Sequence, residues 1–414
     1  MQRRRPALAH ALFFPAAALH AALVVPWWTA GRAGLLPVPP GLETPSGHAM
    51  EMLSGFAFAV VAGYLLGPQP KRWTLALLGL WLAARIAALG WPGSSPALAA
   101  TSLFALGVTL RVVPRFAVAA KKWRNRTIAP VVTLLAVVTA AGAWQPLTGP
   151  RTILLAGLIL LSLLMFFMGG RIIAPALAGH LKRQGDSFRA RVQPRLEGSG
   201  LIALLTALVC VLPGMTETDR VAAGALGLGA LATLLRILRW RPWRCIRRPD
   251  LMVLVLGHAW LGCGLILFAW TLATDQALGA RIHALTIGAL GTLTLAVMAR
   301  TRLLLLHRDA NAAPVVHLGA LLVSAAALAR MAPLLPEPAL TPLPWLLASA
   351  LLWSAAFLIL FAVLVRPGPG GPEAGVAGAD IRGADRRSPM AWSRGNADRP
   401  ATGGDAAVSP GPGH

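Results

Sequence analysis

The chain has 414 residues, 56% of them hydrophobic and only 13% charged, with a mean hydropathy of +0.64. A soluble globular protein carries about a quarter of its residues as charge, and its core could not hide this much apolar material. The formal net charge of +23 would point to nucleic acid in a soluble protein, so the placement of the charges has to decide.

Apolar runs of roughly twenty residues, the length of helix that crosses a hydrocarbon core of about 30 Å, recur along the sequence. In chain order they predict spans at Leu8–Trp28, His48–Gly67, Trp73–Trp91, Pro96–Val113, Ile128–Trp144 and Thr152–Gly169. The second half adds Gly200–Met215, Val221–Leu238, Leu251–Thr274, Ile282–Met298, Pro314–Ala332 and Pro344–Val365. The expected fold is an all-α membrane protein, a polytopic bundle of about twelve transmembrane helices. The first run follows Arg3, Arg4 and Arg5. It reads as a retained helix, because no small-residue cleavage site followed by a soluble domain comes after it.

Basic residues collect in every second connection. Lys71 and Arg72 follow the second run, Arg115, Lys121, Lys122, Arg124 and Arg126 the fourth, and Arg171, Lys182, Arg183, Arg189, Arg191 and Arg195 the sixth. Arg236, Arg239, Arg241, Arg244, Arg247 and Arg248 follow the eighth, and Arg300, Arg302 and Arg308 the tenth. The intervening loops hold only Arg32, Arg151, Arg220, Arg281 and Arg330. This is the positive-inside pattern of a multi-pass membrane protein. It puts both termini in the cytoplasm, makes the lipid bilayer the main partner, and leaves no case for nucleic acid. Residues 1–366 form the transmembrane domain. Residues 367–414, rich in Gly, Pro and Ala, read as a disordered cytoplasmic tail.

The three cysteines, Cys210, Cys245 and Cys263, have neither CxxC nor CxxCH spacing, which excludes covalent c-type haem attachment and argues against a disulfide framework. No Walker loop, HExxH, GxSxG or dinucleotide fingerprint stands in a supporting setting, so soluble-type catalysis has no basis here. Trp27, Trp28, Trp73, Trp91, Trp144, Trp240 and Trp243 lie near span ends and read as an interfacial belt.

Ionisable side chains are costly in lipid and mark sites by default. The spans contain His10, His20, His48, Glu51, Arg85, His258, His283 and His317. The loop-charge orientation puts His48 and Glu51 near the outer end of the second span, three residues apart on one face. His283 opens the tenth span from the same side, and His20 lies in the outer half of the first. These four are expected to converge on an outer-leaflet site, with His10, His258 and His317 toward the inside. For His10, His20 and His317 alone, a hydrogen bond to a neighbouring helix is the plainer role. Arg85 needs a counter-charge, for which Glu51 or a haem propionate is a candidate. Two neutral imidazoles on facing helices can hold a haem iron, and Met50 and Met52 add soft donors suited to copper(I). Gly288 and Gly291 would let a macrocycle or another helix approach the tenth span closely.

At these residues the chain resembles the NnrS family of bacterial cytoplasmic-membrane proteins. The stretches that carry the likeness are GHAMEMLSGFAFAVVAGYLL with LWLAARIAAL, FMGGRIIAP, RWRPWRCIRRPDL running into GHAWLGCGLIL, and IHALTIGALGTLTLAVMAR. The resemblance implies a twelve-helix protein that contains haem and copper and is linked to the response to nitric oxide and nitrosative stress. It also implies that His48 and Glu51 match the first histidine and the glutamate of a tryptophan-His-Ala-His-Glu-Met segment. His283 matches a His-Ala-Leu-Thr histidine, and Arg85 and Arg171 fall on family arginines.

The chain departs from that pattern in several places. The tryptophan is Gly47 and the second histidine Met50. Val255 stands where a further histidine is expected, with His258 nearby, and Leu305 where another is, with His307 two residues on. Either Met50, His258 and His307 supply substitute ligands, or this member holds fewer metals. The cofactor-binding set is therefore His48, Met50, Glu51, Arg85, His258 and His283, with His48, His283, Met50 and His20 as metal donors. Two other readings stand beside it: a proton- or metal-coupled transporter, and a non-catalytic membrane scaffold. The distance between the outer and inner groups predicts separate sites.

Overall fold

The computed structural model describes residues 7–118, 127–144, 151–186, 188, 192–276, 278–334 and 342–367. The expected tail lies outside the described residues except for Pro367. Arg3–Arg5, Lys121, Lys122, Arg124, Arg126, Arg189 and Arg191 also lie outside them.

Among the described residues, twelve long helices account for almost all of the chain. They are α1 His10–Arg32, α2 Pro45–Leu66, α3 Lys71–Gly90, α4 Ser95–Val118, α5 Ile128–Trp144 and α6 Arg151–Arg183. The others are α7 Pro194–Val211, α8 Thr216–Trp240, α9 Pro249–Ala273, α10 Ala284–His307, α11 Val315–Met331 and α12 Pro342–Val365. Eleven are long and apolar enough to cross a membrane, and α5 is a shorter apolar helix of 17 residues. The chain is a multi-pass all-α membrane protein. A two-residue antiparallel pair, β1 Ala7–Leu8 with β2 Pro68–Gln69, ties the approach to α1 to the turn after α2.

Several helix ends lie beyond the sequence expectation, among them that of α10, which continues past Met298 to His307, and two ends at charged residues. The helix α6 runs on to Arg183, well past Gly169, and α7 begins at Pro194 rather than Gly200. Arg171 reads as a loop charge but is helical, and it pairs with Glu197 of α7 at 3.6 Å while its guanidinium lies over the Phe167 ring. A charge met by an opposite charge and an aromatic face does not have to end a span.

Consecutive helices pack on one another, and α12 returns to α1. That closure is made by polar groups. Pro26, inside α1, has no N–H to give the Ala22 carbonyl four residues back. Ser354 Oγ donates to that carbonyl at 2.6 Å, and Trp353 Nε1 donates to Ala21 O at 3.0 Å. Such replacement donors let proline persist in a membrane helix. The most enclosed spans are α2 and α6, each 78% buried over its most apolar stretch. Leu23, Ile86, Leu110, Ile202, Leu228 and Leu351 are exposed on the outside of the bundle, as a lipid-facing surface requires. At the expected cytoplasmic end, Asp250 accepts from Arg248 Nε at 2.9 Å and Arg300 NH1 at 2.7 Å, clasping the start of α9 to α10.

Candidate cofactor site

Thr44 starts α2: its side chain accepts from the backbone N–H of Gly47 at 3.0 Å. Within α2, from Glu51 to Ala57, the helix widens into π turns, and α10 does the same from Ala284 to Gly291, directly after His283. A π turn adds a residue per turn, changes which side chains share a face, and recurs at functional sites. Both candidate histidines at the outer end thus precede a π segment. Regular 3.6-residue periodicity gave no sign of either.

The first group of site residues is built on the widened turn of α2. Arg85 NH1 of α3 donates to Glu51 Oε2 at 2.6 Å, and His20 Nε2 of α1 lies 3.4 Å from Glu51 Oε1. Glu51 and Arg85 are buried, so each charge depends on the other. The Trp81 indole packs edge-on to His20 at 5.5 Å and donates from Nε1 to the Gly55 carbonyl at 2.9 Å. Gly55 leaves room there: a Cβ would lie 2.7 Å from His20 Nε2 and 3.0 Å from Arg85 Cδ, so both side chains would have to shift. The Met50 thioether is turned onto Gly142 of α5. Met50, Glu51, Ser54 and Arg85 share a cavity of about 30 Å³, which is room for about one water molecule. Glu51 supplies a counter-charge to Arg85.

The second group lies at the expected outer ends of α1, α2, α10 and α11. The His48 ring is stacked on Trp28 with centroids 4.1 Å apart, and His48 Nδ1 is buried without a hydrogen-bond partner. His283 Nδ1 is 3.2 Å from the Gly279 carbonyl. If that nitrogen carries the proton, Nε2 keeps its lone pair, the arrangement that prepares a histidine to ligate. His48 and His283 lie within electrostatic range of each other, and both feel Arg330. Of the four residues expected to converge, His20 meets Glu51, while His48 stacks on Trp28 and His283 is held by the Gly279 carbonyl.

At the opposite end, His258 of α9 is fully buried and neither ring nitrogen has a hydrogen-bond partner. It sits between Phe166 at 6.4 Å and Trp240 at 5.2 Å. The Arg236 guanidinium lies over both aromatic rings and donates to Phe166 O at 2.8 Å. His258 thus shares a cluster with Phe166, Trp240 and Arg236. His307 and Leu305 are exposed at the end of α10 and Val255 is half-buried on α9. His10 lies against Phe14 at 5.7 Å, and His317 is half-buried near the start of α11.

Several expectations change. Gly288 receives the Trp260 ring and Gly291 the Trp353 ring and Val323, so here other helices make the close approach these glycines allow. Trp28 and Trp240 are buried against histidines, whereas Trp27, Trp73, Trp91, Trp144 and Trp243 are exposed as an interfacial belt requires. Arg330 and Arg236 read as ordinary loop charges, but Arg236 lies over the aromatic rings that flank His258 and Arg330 acts on His48 and His283. The four-residue spacing of Arg236 and Trp240 on one helix face was the available signal. Among the described residues no three His, Cys, Asp or Glu side chains come together as a metal cage.

Comparison with known proteins adds one match. The family model described as NnrS protein matches residues 6–367. No curated protein matches the chain.

Proposed function

The chain belongs to the NnrS family and is a membrane protein of the nitric oxide response; on that premise we propose that it binds haem in a bacterial cytoplasmic membrane through His48 and His283. The observation that carries this reading is the state of the two imidazoles. His283 is anchored through Nδ1 to a backbone carbonyl, and His48 is clamped by Trp28 with a buried, unpartnered Nδ1. Haem brings four of its own nitrogens and asks the protein for one or two axial ligands, so a pair of imidazoles suffices without a three-residue cage. When bound, it would supply an iron able to ligate nitric oxide or pass an electron.

The residues around the pair have definable tasks. Trp28 fixes the plane of the His48 ring, and the Gly279 carbonyl fixes the tautomer of His283. Arg330 puts positive charge beside both, suited to a carboxylate group of the ligand. Arg85 neutralises Glu51 and holds α3 against α2. Copper(I), the second metal implied by the family, would draw on the soft Met50 thioether and the His20 imidazole. His258 is the inner candidate ligand.

Loss of nitric oxide tolerance in cells carrying His48→Ala or His283→Ala at normal protein levels is the expected outcome. Full tolerance in both variants would support the scaffold reading instead. The buried His20–Glu51 contact favours a second reading, proton-coupled transport. That reading requires substrate flux in proteoliposomes abolished by Glu51→Gln and indifferent to haem.

A further inference from the structure

An apolar cavity of about 100 Å³ lies between α2, α6, α9 and α10. Val61, Leu164, Met165, Leu254 and Leu293 make up much of its wall, and Tyr64 and Thr294 are its polar residues among those described. The Thr294 hydroxyl is already committed, donating to Leu290 O at 2.7 Å. Water in a cavity needs two to four polar partners, which this wall does not provide. Apolar cavities of comparable volume stay dry and take up xenon or benzene. A porphyrin would not fit.

The cavity has two further features that suit a small gas. Tyr64, Met168, Ile172 and Val297 of its lining are only half-buried, so it reaches the bundle surface. On its far side the wall is thinned at Gly169. A Cβ there would lie 2.5 Å from His258 Cε1, so only the α6 backbone separates the cavity from that imidazole. His258 is fully buried with both nitrogens unpartnered. We infer that this cavity lodges an apolar molecule of diatomic-gas size, entering sideways from the lipid and held beside His258. The inference rests on the proposed nitric oxide reading only for the identity of the natural occupant; size, dryness and position come from the cavity itself.

The test uses the full chain in phospholipid nanodiscs, with xenon as probe and hyperpolarised xenon-129 exchange NMR as readout. One saturable exchange signal is expected in the unaltered protein. Val61→Phe and Met165→Trp, which fill the cavity from different helices, should each reduce it to background while the thermal midpoint stays near that of the parent. Nitric oxide added without oxygen should displace xenon from the unaltered protein. No saturable signal, or a signal untouched by both folded variants, would overturn the inference. So would binding in detergent that vanishes in nanodiscs, which would mean that a lipid acyl chain holds the cavity. Failure of nitric oxide to compete would overturn the natural-occupant claim even if neither variant folds. Xenon uptake should persist in His48→Ala, so failure of the haem reading and failure of this one give different results.

Discussion

At Glu51 a buried carboxylate persists because Arg85 meets it at 2.6 Å and His20 stands at its other oxygen. Removing one partner strands the other charge, which costs roughly 3–5 kcal/mol, whereas replacing both with neutral groups of similar volume is nearly neutral. Arg85→Met is therefore expected to lower the thermal midpoint in detergent sharply, and Glu51→Gln with Arg85→Met to restore most of the loss. A full-size drop in the double variant would refute the pairing. Gly55→Ala should separate His20 from Glu51 and behave like a weaker Arg85→Met in the same assay, because the added methyl has flexible neighbours to push aside. The need for a counter-charge at Arg85 was legible in the sequence, and so was its partner. Trp81 and Gly55 were not, because their part depends on a helix with altered pitch. Trp28 and Trp240 show the same limit: position near a span end said where they lie along the membrane normal, not which way they face.

Helix existence followed from apolar run length, and all twelve runs became helices. Their ends did not follow where a charge is paired inside the protein. Arg171 looked like a stop, yet α6 continues through it, with Glu197, twenty-six residues on in sequence, 3.6 Å away. The π segments at Glu51–Ala57 and Ala284–Gly291 were equally invisible, since they arise from tertiary contacts rather than composition. The proline in α1 gives an element-scale test. Ser354→Ala removes the donor to the Ala22 carbonyl that Pro26 leaves open, and should cost about 1 kcal/mol, the usual size of an interhelical hydrogen bond in a membrane. Adding Pro26→Ala should erase most of that cost, because the helix then supplies its own donor. Equal losses from Ser354→Ala with and without Pro26 would contradict the account.

For the whole molecule, loop charge gives an orientation and the even number of spans puts both ends on one side. Single cysteines in a background lacking Cys210, Cys245 and Cys263 test this directly. Gly93→Cys, between α3 and α4, should react with an impermeant maleimide added to intact cells. Gly185→Cys, after α6, should react only once the membrane is opened. The same orientation puts His48 and His283 together at the outer end and His258 at the inner end, so outer and inner sites should fail independently. The departures from the family pattern at Met50 and Val255 bear on how many metals are held, and only the outer pair carries the central claim. The visible spectrum of the full chain, purified after expression with ample haem and paired with metal analysis, tests it most directly. A Soret band with near-stoichiometric iron, lost in His48→Ala and in His283→Ala but kept in His317→Ala, is the predicted result. A colourless, iron-free protein, or a Soret band unchanged in both outer variants, would contradict it.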